Sequence, residues 1–362
     1  MASAAQKRIK SISYAKYGYF FILPFFIVYL FFQFWPLINT FILGFKGNTT
    51  QFDEFVGFQN YKDLITGEGG RTVRNLHEKF MQDMKNTFIL WIGNFIPQII
   101  LSLSLAVWFT EAKLKIPGKG FFKIVMYLPN IVTAASVAVL FLQLCGESES
   151  APGAVNLILN KMGFLDSTSF TAPDGTVTTK FETIRLINGE NINRGVIMFI
   201  QTWMWFGNTM IMLMSGIMGI NPSLFEAASI DGANSGQVFR KITLPLLSPI
   251  MAYTLVTSMI GGLQMFDMPL LYNNTNVPHE KLETMAVFIY QNYNTIHTNT
   301  ENKYRMGYAG AASVMLFLVT LVLGLIAFYL TRDKDEIAKK KQRKKIAKQN
   351  KLENKQFGGF TI

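Results

Sequence analysis

Six apolar runs divide the chain, at 17–42, 86–109, 121–144, 196–220, 246–271 and 307–331. About 20 apolar residues are enough to cross the hydrocarbon core of a bilayer, and each run meets that length. Periodicity alone does not distinguish a spanning helix from a buried core helix. Six such runs in one chain leave little room for a soluble fold. The first run is too long for the apolar part of a secretory leader and lacks a small-x-small cleavage site, so it reads as a span. Pro24 and Pro36 should kink it. The expected class is therefore all-α: a polytopic membrane protein with six transmembrane helices.

The polar intervals carry their own pattern. Asn221-Pro222 follows the fourth run and can open a short helix, with Asn221 or Ser223 as cap and Pro222 in the first turn. Leu224, Ala227, Ala228 and Ile230-Asp231 fall on helical positions, and Glu226 suits the N-terminal end of the helix dipole. Gly232 permits a left-handed turn that closes this helix. A second helix can start at Ala233 and run to Lys241, with Pro245 and Pro249 in the first turns of the fifth span. This segment has apolar residues at helical spacing yet lies between two membrane runs, so something outside the membrane is expected to cover it. Elsewhere, Ser169-Phe170-Thr171 and Val177-Thr178-Thr179 flank Ala172-Pro173-Asp174-Gly175-Thr176 as a hairpin. Residues 154–159 read as a short amphipathic helix.

Charge fixes the orientation. Of the formal +11, +7 lies between Arg332 and Ile362, with eleven Lys or Arg against four Asp or Glu. Lys113, Lys115 and Lys119, then Arg240 and Lys241, place two short loops on the same side as this tail and the basic N-terminus. The positive-inside rule makes that side cytoplasmic, and the longer loops at 43–85, 145–195 and 272–306 extracytoplasmic. The expected plan is a cytoplasmic N-terminus (1–16), a first transmembrane helix (17–42), an extracytoplasmic loop (43–85), a core at 84–331 and a basic cytoplasmic tail at 332–362. The tail suits anionic membrane lipid rather than nucleic acid.

Composition removes most chemistry. Charged residues make up 16% of the chain against about 25% for soluble domains. One cysteine, Cys145, excludes an internal disulfide framework, and His77, His279 and His297 have no ligand-like spacing. No phosphate-binding loop of the G-x-x-x-x-G-K-[ST] type occurs, and no nucleophile–base set. Within the runs the ionisable residues are Asp267 and, at an edge, Lys123. Intramembrane ionisable groups usually mark ion coupling, so this scarcity argues against it. The chain is not expected to be an enzyme, and energy for uphill transport must come from another subunit.

Glu226-Ala227-Ala228, three residues, Gly232, nine residues and Ile242-x-Leu244-Pro245 together resemble the EAA loop of binding-protein-dependent ABC importer permeases. Residues 55–61 (Phe-Val-Gly-Phe-Gln-Asn-Tyr), Tyr127-Leu128-Pro129, Ala154-Val155-Asn156 and 264–269 are similar to stretches of the maltose-type carbohydrate permeases, in that family's order. The resemblance implies a type I importer permease fold in a bacterial cell membrane, with both termini cytoplasmic. It also implies a second permease (a sister chain rather than a copy), ATP-binding cassette subunits and an extracytoplasmic solute-binding protein. ATP and Mg would be held by the ATPase, with no cofactor or metal on this chain. Glu226, Ala227, Ala228, Asp231, Gly232, Ala233, Ile242, Leu244 and Pro245 would contact the ATPase.

A sugar pathway needs hydroxyl-bonding groups and aromatic faces. Asn130, Trp203, Trp205, Asn208, Ser258, Gln264 and Asp267 are the candidates, with Asn94, Gln98 and Gln201 beside them. Each could instead serve helix packing or interhelical hydrogen bonds. An oligosaccharide is the expected solute; glycerol phosphate or a polyamine, or a channel or scaffold role, remain alternatives.

Overall fold

The computed structural model describes residues 15–47, 54–111, 114, 116–171, 177–189, 191–272, 280–294, 305–330 and 342–347. The expected turn at 172–176, Lys113, Lys115, His279 and His297 lie outside these residues, as do most of the basic N-terminal and C-terminal segments. The helices are numbered below in chain order. Among the described residues five helical stretches are long and apolar enough to cross a membrane, and a pair of bent helices counts as a sixth if taken as one span.

The chain divides into two compact units, residues 1–81 with 285–317 and residues 82–284 with 318–362. In the first unit, α1 (Ala15–Tyr29) passes through a π-helical turn, Leu30–Phe34, into α2 (Trp35–Leu43). Proline cannot donate to the carbonyl four residues back and its ring collides with that carbonyl. The wider turn just ahead of Pro36, closed by the Trp35 N–H on the Leu30 carbonyl, accommodates both defects. The end of α2 packs on α14 (Met306–Leu330), where a Cβ on Gly310 would lie 2.6 Å from the Gly44 nitrogen. Phe41 meets Phe317 edge-on at 5.9 Å. Below it, α3 (Gln59–Thr66) is fixed by Asn60, which donates to the Gly44 and Lys46 carbonyls at 3.0 and 2.8 Å. Asp63 accepts from Tyr308 at 2.9 Å. α13 (Met285–Asn294) sets Phe288 against Phe80 of α4 (Arg71–Thr110), with ring centroids 5.8 Å apart.

The second unit holds the core. The span expected at 121–144 is two helices, α5 (Lys119–Ile131) and α6 (Ala134–Leu144), bent by 96°. Val132 and Thr133 between them are extended, and the Thr133 side chain accepts from the Ser136 N–H to restart the helix. α8 (Ile192–Met218) is the most enclosed span, and glycines let its neighbours approach. A Cβ on Gly207 would overlap the Met126 carbonyl of α5. Two apolar clusters form around α8, one centred on Ile197, Ile200 and Leu90, the other on Met210, Leu213 and Leu247.

Between α6 and α8, α7 (Ala154–Lys161) and the antiparallel pair β1 (Ser167–Thr171) and β2 (Val177–Phe181) form a small loop structure. Glu147 ties it together, accepting from the Ile187 and Asn188 N–H groups. Asn156 accepts from the Ile184 N–H at 2.9 Å. Burial holds the nearby Cys145 thiol above its ordinary pKa, so the lone cysteine stays protonated.

Candidate functional site

The segment at 221–245 folds from local rules. Asn221 accepts from the Ser223 N–H at 3.1 Å and caps α9 (Pro222–Ile230), with Pro222 in its first turn. Asp231 is the C-cap and Gly232 follows at φ +75°. The Ala233 N–H reaches the Ala228 carbonyl at 2.9 Å and the Gly232 N–H reaches Ser229 at 3.2 Å, which together make a Schellman closure. A Cβ on Gly232 would meet nothing, so the backbone angle alone requires glycine there. Asn234 and Gln237 then form a reciprocal capping box for α10 (Ser235–Val238).

Three expectations for this segment change. The second helix is not a regular nine-residue α-helix: its one α-helical turn, Ser235–Val238, widens into a π-helical turn at Phe239–Thr243. Pro245 is in the first turn of α11 (Leu244–Leu263), as expected, with helical backbone continuous from Ser235 and the π-turn just ahead of the proline. Pro249 falls inside α11, beyond its first turn. Glu226 is the fifth residue of α9, beyond the first turn, so the helix dipole does not explain it.

Exposure sorts the residues. Ile230 is 86% exposed, an unusual position for an isoleucine, and Leu224 is 43% exposed. Glu226, Ala227, Asp231, Gly232 and Pro245 are exposed, whereas Ala233, Ile242 and Leu244 are half-buried. Ala228 is buried and turned toward its own chain.

A cavity of about 590 Å³ opens in the same unit, between α4, α6, α8 and α11. α8 contributes Gln201, Trp205, Asn208 and Met212, and α11 contributes Tyr253, Thr257 and Ser258. The α8 set recurs every three or four residues, as do Tyr253 and Thr257 on α11, so each shares a helix face. At one end α11 stops: Gln264 to Phe266 leave the helix, and α12 (Asp267–Tyr272) begins anew. Asp267 is therefore in the first turn of a short helix rather than inside a continuous span, where the helix dipole favours a carboxylate. Thr284 donates to the Met265 carbonyl at 2.7 Å and holds the break in place.

Of the seven pathway candidates, Trp205, Asn208, Ser258, Gln264 and Asp267 line the cavity, as do Asn94, Gln98 and Gln201. Asn130 and Trp203 do not. Asn130 donates to the Met204 carbonyl at 3.4 Å, and Trp203 packs edge-on against Phe141 at 5.7 Å. Gln98 has a structural tie as well, donating to Thr209 at 2.8 Å. Sequence reasoning passed over Tyr253 and Thr257. Their signal was the i, i+4 repeat of Tyr253, Thr257 and Gly261 along an otherwise apolar run. Arg194 was also outside the expected spans; it donates to the Lys281 carbonyl at 2.9 Å and to Asn86, fastening α8 to α4 and the 280–284 turn. Among the described residues no cluster of His, Cys, Asp or Glu could hold a metal ion.

Residues 88–334 match the family described as binding-protein-dependent transport system inner membrane component. The chain belongs to that family. It is accordingly a multi-pass inner membrane component of a transport system, and its family is one of ABC transporter permease subunits rather than of enzymes. Its relatives include the arabinooligosaccharides transport system permease protein AraP of Bacillus subtilis (strain 168), 28% identical over 91% of this chain and 94% of that one. The lactose transport system permease protein LacF of Rhizobium radiobacter is 26% identical over 92% and 100%. Among solved structures, a chain of a bacterial ABC transporter involved in import of the acidic polysaccharide alginate superposes with a TM-score of 0.71 at 23% identity, covering 89% and 97%. The importer permease fold expected from the sequence is thus the fold observed.

Proposed function

We propose that this permease carries a neutral oligosaccharide through the cavity of its second unit, and takes its energy from an ATPase seated on residues 221–238. The chemistry of the cavity wall carries the sugar reading. Amides (Gln201, Asn208, Gln264) and hydroxyls (Thr257, Ser258) offer donors and acceptors for sugar hydroxyls. Trp205 and Tyr253 offer faces for the C–H side of pyranose rings. Asp267 is the one formally charged residue of the lining, and it is negative, which disfavours an anionic solute. The relatives AraP and LacF, named for sugar transport, support the same class.

Coupling rests on the exposed Ile230 and Leu224 and on Glu226, Ala227, Asp231 and Gly232 around them. Ala228, Ala233, Ile242, Leu244 and Pro245 shape that surface from behind or beside it. A full transporter then needs a second permease, two ATP-binding subunits holding ATP and Mg, and an extracytoplasmic binding protein. The positive-inside distribution puts the loop, Arg240 and Lys241 in the cytoplasm with both termini.

Proteoliposomes holding this chain with its sister permease, ATPase and binding protein test the reading. ATP-dependent accumulation of labelled neutral oligosaccharides is expected, with acidic oligosaccharides, glycerol phosphate and polyamines left outside. Preferential uptake of any of the charged solutes overturns the sugar assignment.

A further inference from the structure

The wall of the cavity is not held everywhere by the same means. The lining residues of α8 and α11 keep their places through helical backbone bonds. Gln264 to Met268, consecutive in the lining, instead straddle the point where α11 stops and α12 begins. The Leu270 N–H resumes the helical pattern on the Phe266 carbonyl at 3.0 Å. One residue earlier the pattern fails. The Met265 carbonyl would take its bond from residue 269, and Pro269 has no N–H to give. Met265 is 7% exposed and Pro269 is buried, so this carbonyl has to be paired within the protein.

Thr284 supplies the missing donor. Its side chain is fully buried, and its hydroxyl reaches the Met265 carbonyl at 2.7 Å. The turn that carries it is itself fastened. Asn86 of α4 donates to the Glu280 and Glu283 carbonyls at 2.7 and 3.0 Å, and Arg194 of α8 donates to Lys281 at 2.9 Å. Leu282 of the same turn is buried in one apolar cluster with Met265 and Met268. The hydroxyl therefore comes from a fixed point, and the wall segment that its own proline leaves unpaired takes its position from it. Thr284 is not itself a lining residue.

We infer that Thr284 is a positioning residue for the solute: its hydroxyl sets where the helix break holds Gln264 and Asp267, and so which hydroxyl pattern of a neutral oligosaccharide the cavity accepts. The inference rests on the sugar reading above and names a residue that tunes it. Gln264 and Asp267 bond the solute directly, whereas Thr284 acts on it only through the backbone between them.

The experiment uses the whole transporter in proteoliposomes, with the same binding protein in every sample, so that a change in selectivity arises in the permease. A panel of labelled neutral disaccharides and trisaccharides is paired so that members differ at one hydroxyl; lactose and cellobiose are such a pair. Thr284→Val keeps the shape and removes the donor, and should change the uptake ratio of at least one pair about three- to tenfold. Thr284→Ser restores the donor and should restore the ratio. Asn156→Ala, which cuts the bonds of the outer loop structure to Gly146 and Ile184, should lower both members of a pair by one factor. Ratios in Thr284→Val that match the wild type overturn the inference, as does a Thr284→Ser that shifts them as far as Thr284→Val. If Thr284→Val yields no assembled transporter, Arg194→Gln loosens the same turn from α8, and unchanged ratios there overturn it equally. A wild type that accumulates none of the panel brings down the sugar reading and this inference with it. A wild type that discriminates beside a Thr284→Val that discriminates identically brings down the inference alone.

Discussion

The loop at 221–238 and the cavity of the second unit are built in opposite ways. The loop is closed by hydrogen bonds that reach no further along the chain than from Ala233 to Ala228, and its most apolar residue, Ile230, is left outside. The cavity is walled by residues from Asn94 to Met268, brought together by the packing of four helices around buried glycines. Local closure gives the loop a shape set by its own caps and turn, one that can be presented to another protein. Tertiary closure makes the cavity a shape that shifts whenever its helices shift. A transporter needs one of each: a rigid handle, and a chamber that the handle can deform.

The sharpest way to break the comparison is at the α5–α8 crossing. Gly207 allows α8 to lie against the Met126 carbonyl, and a side chain there collides with backbone rather than with a flexible tip. Gly207→Leu should cost more than the ~1–3 kcal/mol typical of overpacking, because backbone has to move. Thermal unfolding in detergent should show a lowered midpoint with solute binding lost in parallel. The loop would keep its local hydrogen bonds, so a protease site introduced at Ser229 should stay as resistant as in the wild type under native conditions. An unchanged melting curve would mean that the cavity does not depend on this crossing.

How much of this was legible beforehand follows from the same contrast. The cap at Asn221, the proline at the start of α9, and the glycine that ends it are short-range signals, and the sequence displayed them. The five unbroken spans were legible too, because bilayer thickness sets a length that composition reveals. The 96° bend between α5 and α6 was hidden, since Val132 and Thr133 look like any apolar or capping pair until the helix has to turn. The π-turn ahead of Pro245 was hidden for a related reason: proline announces that a helix is disturbed, not how the disturbance is absorbed. Trp203 and Trp205 are two residues apart and differ by most of a half-turn, so which one faces the cavity depended on a helix rotation that only packing sets.

The loop provides the next prediction. Gly232→Asn keeps a residue that tolerates positive φ, and the space around it is empty in the chain alone. Folding and melting should stay close to wild type. If an ATPase surface covers the loop, the added side chain should weaken docking by about 2 kcal/mol, roughly thirtyfold, as a central interface residue does. ATPase copurification and solute-stimulated hydrolysis measure it. Wild-type values for both would show that the open space at Gly232 stays open in the transporter.

Single deletions on the cavity wall should have the smallest effect, and that is informative in itself. Asn208 is exposed to the cavity, and among the described residues its loss leaves no buried partner unsatisfied. Asn208→Ala should therefore remove one neutral hydrogen bond to the solute, about 0.5–1.5 kcal/mol, and raise the half-saturating solute concentration about two- to twelvefold. The maximal rate and the melting point should hold, because neither the loop nor the helix packing is touched. Gln98→Ala behaves differently if the geometry is right: Gln98 donates to buried Thr209, so its removal lowers the melting point as well as the affinity. Equal behaviour of the two variants would mean that the wall is one polar network, and that the division between solute contact and helix tie drawn from the distances does not hold.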